Sequence, residues 1–164
     1  MKHIKGFQIF ESDVTKLDII NKKGSEYRSG IVDLINSDIE GLKKLIESGE
    51  LDPNIENHFI LRAAVKYKKN DLLRIVVPLT VDLPRRSNII GMCYELDNIE
   101  AVDIIVNNLK FTKSDLIFIL ERAINWLKYS SSFDKTKLEE YTSDINNKIE
   151  KIKWKNLANL LTKN

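Results

Sequence analysis

The sequence predicts an all-α protein, a short solenoid of stacked helical hairpins with a non-repeat N-terminal segment and C-terminal capping helices. Three observations carry that expectation. One helical pattern recurs three times without gaps. A second helix, rich in small residues, precedes each of the later two copies. Clusters of Gly, Pro, Asp and Asn separate the pairs, as turns require.

The recurring pattern begins at Asp38-Ile39-Glu40, Lys69-Asn70-Asp71 and Asn98-Ile99-Glu100. Each copy places an acid at the third position, where the positive end of the helix dipole favours it. Apolar residues follow two, five and six positions later: Leu42, Leu45, Ile46; Leu73, Val76, Val77; Val102, Ile105, Val106. That spacing is one face of an α-helix. Glu40 and Asp71 stand 31 residues apart, Asp71 and Glu100 29.

The preceding helices are Phe59–Val65 and Ile89–Tyr94, with Ala63, Ala64, Gly91 and Cys93 as the small residues that let helices approach closely. Asn57 and Asn88 are the predicted N-caps. Gly49 followed by Asp52-Pro53-Asn54 ends the first copy, and Asp82–Asn88 plays the same part after the second. Pro78 is expected to stop the second copy's helix early. Residues 114–130 form a strongly apolar helix, which is expected to be buried over the last hairpin, with Ser114 or Asp115 as its cap. After Ser130-Ser131-Ser132, the residues Leu138, Tyr141, Ile145, Ile149, Ile152 and Leu157 mark one or two amphipathic helices. Ten residues are expected in the core: Leu42, Leu45, Leu61, Ala64, Leu73, Val76, Val102, Ile105, Ile117 and Leu120.

The stretch Leu61-Arg62-Ala63-Ala64-Val65 through Asn70–Val77 resembles an ankyrin repeat of the variant abundant in large DNA viruses. Asp38-Ile39-Glu40 and Asn98-Ile99-Glu100 match its outer-helix start, and Asp52-Pro53-Asn54 its turn. The resemblance covers roughly residues 30–110. No copy carries the full Thr-Pro-Leu-His signature, and Lys68-Lys69 and Asp97-Asn98 replace the usual Gly-His turn. Asp33 falls where a small apolar residue is expected, so the first repeat reads as a cap. The domain organisation that follows is a non-repeat segment over 1–29, with Gly24 and Gly30 bracketing a loop; ankyrin-like repeats over 30–130; and amphipathic helices packing on the stack over 131–164. A generic helical-hairpin array is the alternative.

Composition bounds function from the other side. Net charge is +2, from 26 basic and 24 acidic residues, whereas a chain built to wrap nucleic acid is usually far more basic. The single cysteine, Cys93, excludes an internal disulfide and a multi-cysteine zinc site, and reads as a buried structural thiol. His3 and His58 lie far apart without an acidic cluster, so no metal site is expected. There is no phosphate-cradling loop or nucleophile elbow, so neither a catalytic residue nor a cofactor is expected. The N-terminal MKHIKGFQIFESD has no apolar stretch of a signal peptide, and no apolar run nears the roughly 18 residues of a membrane span. A cytoplasmic location follows by elimination.

The resemblance implies a protein-binding module that inhibits or sequesters a cellular protein. The bias toward Ile, Lys and Asn fits an AT-rich genome, which makes a phage or viral counter-defence factor acting in the host cytoplasm a specific form of it. The candidate partner-binding residues are Asn54, Glu56, His58, Arg62, Lys66, Arg85, Arg86 and Ser87, on the turns and helix rim that such stacks expose. Arginine forks pair with carboxylates, so an acidic protein surface is the expected partner. Lys151, Trp154 and Lys155 form a second candidate contact, for a partner or for self-association through the C-terminal helices. Trp154 and Leu157 are expected to pack on the body or on a second copy. A nucleic-acid-associated protein using the basic rim, and a small enzyme without a recognisable motif, are the competing readings.

Overall fold

A computed structural model describes residues 19–83 and 87–161, with residues 155–161 described by backbone alone. The described residues contain eight α-helices and no strand: α1 (Gly24–Ser37), α2 (Ile39–Glu47), α3 (Ile55–Lys66), α4 (Asn70–Leu79), α5 (Ile89–Glu95), α6 (Ile99–Asn108), α7 (Lys113–Tyr129) and α8 (Leu138–Leu161). The rest of the N-terminal non-repeat segment, residues 1–18 with His3, lies outside the described residues.

The helices pack in a regular order. The pairs α1–α2, α3–α4, α5–α6 and α7–α8 are in contact, α1, α3, α5 and α7 are successive neighbours, and so are α2, α4 and α6. The apolar stripes meet in one hydrophobic cluster between these helices. Nine of the ten expected core residues are buried there, and Ile117 is half-buried. The small residues serve close approach. A Cβ on Gly91 would stand 2.5 Å from Cδ1 of Trp126, so only glycine lets α5 lie against α7 at this point.

The turns within the second and third pairs are the same. Lys69 N–H donates to Ala64 O (2.8 Å) and Lys68 N–H to Val65 O (3.1 Å); Asn98 N–H donates to Cys93 O (2.8 Å) and Asp97 N–H to Tyr94 O (3.0 Å). This pair of hydrogen bonds closes a helix whose next residue is left-handed. Here that residue is Lys68 or Asp97, at φ 53° and 54°, where glycine is usual. Asp38 and Asn98 then cap the following helices through the N–H groups of Gly41 and Ala101.

Several local expectations are corrected. Gly24 and Gly30 do not bracket a loop: α1 begins at Gly24, so residues 24–29 belong to the first helix, and Asp33 is solvent-exposed on it. Pro78 does not stop α4 early; the helix ends at Leu79, because a proline in the last turn forfeits only one backbone bond. Asn57 is not a cap, since Glu56, Asn57 and His58 all have left-handed backbones (φ 51°, 58° and 57°). Asn88 occupies the N-cap position of α5 without a side-chain bond. Thr112, not Ser114 or Asp115, caps α7, accepting from Asp115 N–H.

The C-terminal helix is a single 24-residue element. Tyr141, Ile145 and Ile149 are buried along one side of it. Polar bonds reinforce that packing: Tyr94 Oη donates to Asp144 at 2.5 Å, and Lys148 bridges Asp103 (2.7 Å) and Asp144 (3.3 Å). Trp154, expected to pack on the body or on a second copy, is 64% exposed within this chain, because it stands off the Tyr141–Ile145–Ile149 stripe. The side chains of Lys155 and Leu157 lie outside the described residues. No described helix is long and apolar enough to cross a membrane.

Candidate binding groove

Two adjoining depressions run across α1, α3 and α5. One, of about 260 Å³, is lined by Arg28, Val32, Phe59, Arg62, Ala63, Lys66, Tyr67 and Met92. The other, of about 300 Å³, is lined by Asn57, Arg62, Leu83, Ser87, Asn88, Ile89 and Met92. Arg62 and Met92 belong to both, so the two form one surface feature. Its floor is apolar, and its exposed charges are cationic.

The repeat register explains the floor. Val32, Ala63 and Met92 are separated by 31 and 29 residues, the same offsets that relate Glu40, Asp71 and Glu100. Equivalent positions on three neighbouring helices fall in a row. Phe59 and Tyr67 stand four residues to either side of Ala63, on the same face of α3, so they flank the small residue as walls. Lys66 Nζ lies 5.7 Å from the centroid of the Tyr67 ring. Arg62 is half-buried and Lys66 exposed. Among the described residues neither has an ion pair.

Three of the sequence-predicted contact residues are committed to the fold instead. His58 is only 7% exposed. Its Nε2 lies 2.7 Å from Val81 O, and a carbonyl only accepts, so Nε2 carries the proton. Asn54 Nδ2 donates to Leu79 O (3.0 Å), and Asn54 Oδ1 accepts from Val81 N–H (2.9 Å). Glu56 accepts from Gly24 N–H (2.9 Å) and pairs with Arg28 (3.2 Å). The Gly24 N–H and then the Arg28 guanidinium hold the Glu56 carboxyl below the usual carboxylate range. These bonds tie Asn54 and the left-handed first turn of α3 to the end of α4 and the chain after it, and to the start of α1. They also hold three consecutive left-handed residues, each of which costs on the order of 1–2 kcal/mol.

The structure therefore brings Arg62, Lys66 and Ser87 onto one groove and places Asn54, Glu56 and His58 beneath or beside it as ties. Arg85 and Arg86 lie outside the described residues. Sequence reading missed the floor and walls, namely Val32, Phe59, Ala63, Tyr67 and Met92. The signal was present in the repeat offsets, which relate Val32 to Ala63 and Ala63 to Met92.

The second candidate contact lies elsewhere. Lys151 and Trp154 line a depression of about 420 Å³ with Asp103, Val106, Asn107, Lys148 and Ile152, at α6 and α8. Burial raises the thiol pKa of Cys93 to about 12, so it stays protonated and inert at neutral pH. Among the described residues no group of three or more His, Cys, Asp or Glu could hold a metal ion. No protein-family model, curated protein or solved structure matches this chain.

Proposed function

We propose that this protein is an ankyrin-like binding module that captures another protein through the groove across α1, α3 and α5, and that the captured surface is acidic. The single observation behind this reading is the pair of depressions sharing Arg62 and Met92. An apolar floor supplies contact area, and Arg28, Arg62 and Lys66 supply a cationic rim over it. Buried apolar anchors with arginines beside them are the common make-up of interface hot spots. Carboxylates are the natural complement of guanidinium and ammonium groups. The ankyrin-like reading of the helix order rests on two supports: the equal turns at Lys68 and Asp97, and the repeat offsets that align the floor. Capture covers the bound surface, which makes sequestration of the partner the functional consequence.

The test compares partner capture by the unmodified protein, by an Arg62→Glu, Lys66→Glu variant and by Trp154→Ala. The double change reverses two rim charges and should weaken capture by a factor on the order of 100 or more, because attraction is lost and repulsion added. The melting temperature should stay nearly constant, since Lys66 is exposed and neither Lys66 nor the half-buried Arg62 has an ion pair among the described residues to lose. Trp154→Ala should leave capture unchanged. Capture lost in Trp154→Ala and kept in the double variant would move the site to the α6–α8 depression.

A further inference from the structure

We infer that the groove holds an extended acidic segment of its partner, about five or six residues long, with one apolar side chain seated over Ala63. This deepens the reading above and rests on it. The length comes from the row Val32–Ala63–Met92, which crosses three neighbouring helices. Packed helices lie about 8–10 Å apart, so the row spans roughly 16–20 Å. An extended chain advances about 3.3 Å per residue, and five or six residues cover that distance.

The anchor position comes from side-chain size. Ala63 is the smallest residue of the row and stands between Val32 and Met92, so the floor is lowest at its centre. Phe59 and Tyr67 rise one turn to either side of it on α3. Ala63 is itself only 3% exposed, so the anchor would sit above it in the depression of about 260 Å³, beside the two rings. The acidity comes from the rim. Arg62 and Lys66 line the depression without ion pairs among the described residues, whereas Arg28 is paired with Glu56, which also accepts from Gly24 N–H. Carboxylates just before and after the anchor would meet Arg62 and Lys66, which lack ion pairs among the described residues. A β-branched or aromatic run with no acid would fill the notch and leave the cations desolvated without partners, which disfavours it.

The experiment uses the full chain and fluorescein-labelled hexapeptides, read by anisotropy. The acidic peptide Glu-Asp-Leu-Asp-Glu-Glu is compared with the same peptide carrying Gly for Leu, with Lys-Lys-Leu-Lys-Lys-Lys, and with a labelled single-stranded oligonucleotide. The Leu-bearing acidic peptide should bind on the order of tenfold more tightly than its Gly version, and the basic peptide not at all. Lys66→Glu, an exposed change that leaves the fold intact, should weaken it by about tenfold. Met92→Ala, which removes one side of the half-buried floor, should reduce the preference for Leu over Gly, with a thermal melt confirming folding. Equal binding of the Leu and Gly peptides would overturn the anchor. Stronger binding of the oligonucleotide would overturn the acidic segment in favour of a polyanion. If no peptide binds while Arg62→Glu, Lys66→Glu still abolishes capture of the partner protein, the partner presents a folded surface; the segment is then refuted and the groove stands. If neither peptide binding nor capture depends on the rim, both readings fall.

Discussion

The hairpins α3–α4 and α5–α6 close on the same turn and carry opposite charge. Lys66, Lys68 and Arg74 in the first are matched, 29 residues later, by Glu95, Asp97 and Asp103 in the second. All three of these acids are used inside the molecule. Glu95 accepts from Trp126 Nε1 (3.0 Å), from Ser130 Oγ (2.9 Å) and from Ser132 Oγ. Asp97 accepts from Lys137 Nζ (2.8 Å) and from the Tyr141 hydroxyl, and Asp103 pairs with Lys148 at 2.7 Å. These bonds seat α7, the loop after it and α8. In the first hairpin Lys66 lines the groove, Lys68 has no ion pair among the described residues, and only Arg74 is engaged, with Glu100 at 2.7 Å. One repeat backbone thus does two jobs. Near the C-terminus its charges are bonded to α7, the loop after it and α8, and in the middle only Arg74 of the three has an ion pair among the described residues.

Four measurements break or sharpen this comparison. The largest effect tests what the hairpins share. Leu73 and Ile105 are both essentially fully buried, one in each hairpin. Each changed to alanine should cost roughly 2–5 kcal/mol in chemical denaturation. A loss confined to one of them would mean the two hairpins do not share a common core.

The next effect separates the hairpins at one equivalent pair, Arg62 and Gly91. Gly91→Ala drives a methyl to within 2.5 Å of Cδ1 and 2.7 Å of Cγ of Trp126, ring atoms with little room to yield. Overpacking of this kind costs about 1–3 kcal/mol. Arg62→Ala should stay within roughly 0.5 kcal/mol. Equal losses at both positions would place Arg62 in the structural framework rather than on a binding surface.

Acid titration isolates the seam to the capping helices. Burial opposes ionisation of Glu95, but the donations from Ser132, Ser130 and Trp126 outweigh it and hold the carboxyl below 4.5. Lys137 and then Tyr141 hold Asp97 below 3.8. A carboxyl whose folded pKa is lowered adds stability that is complete above its unfolded value, about 4. That stability is lost as pH falls through the folded value. The melting temperature should therefore drop as pH falls from about 5 to 3, and Glu95→Gln should start lower at pH 7 and drop less. Parallel pH profiles for the two proteins would mean that Glu95 does not hold the seam.

The smallest effect concerns the left-handed turn residues. Lys68→Gly should stabilise the protein by up to about 1 kcal/mol, because glycine adopts positive φ without strain. Asp97→Gly relieves the same strain and forfeits the bonds to Lys137 and Tyr141, so it should give no gain. A thermal melt of each variant decides it. A gain from both would mean the Asp97 bonds contribute nothing.

Much of the fold was legible in the sequence, because a helical stripe is a local property. Leu42–Ile46, Leu73–Val77 and Val102–Val106 announced α2, α4 and α6 through spacing alone, and Ala63, Ala64 and Gly91 announced close helix approach. The candidate site was less legible. Arg62, Lys66 and Ser87 were chosen as polar rim residues and do lie on the groove, whereas Asn54, Glu56 and His58 were chosen on the same grounds and are spent on internal bonds.

The sequence by itself determined the all-helical class, the positions of the buried stripes and the approximate places where the chain turns, since period and turn chemistry act over a few residues. Tertiary structure alone decided which polar side chains are free. A hydrogen bond such as Asn54 to Leu79 and Val81, or Glu56 to Gly24, joins residues 25 to 32 positions apart. Whether such a bond forms depends on where two turns meet in space, and no local pattern records that. The same holds for Trp154, whose exposure within this chain depends on how α8 is rotated against the body.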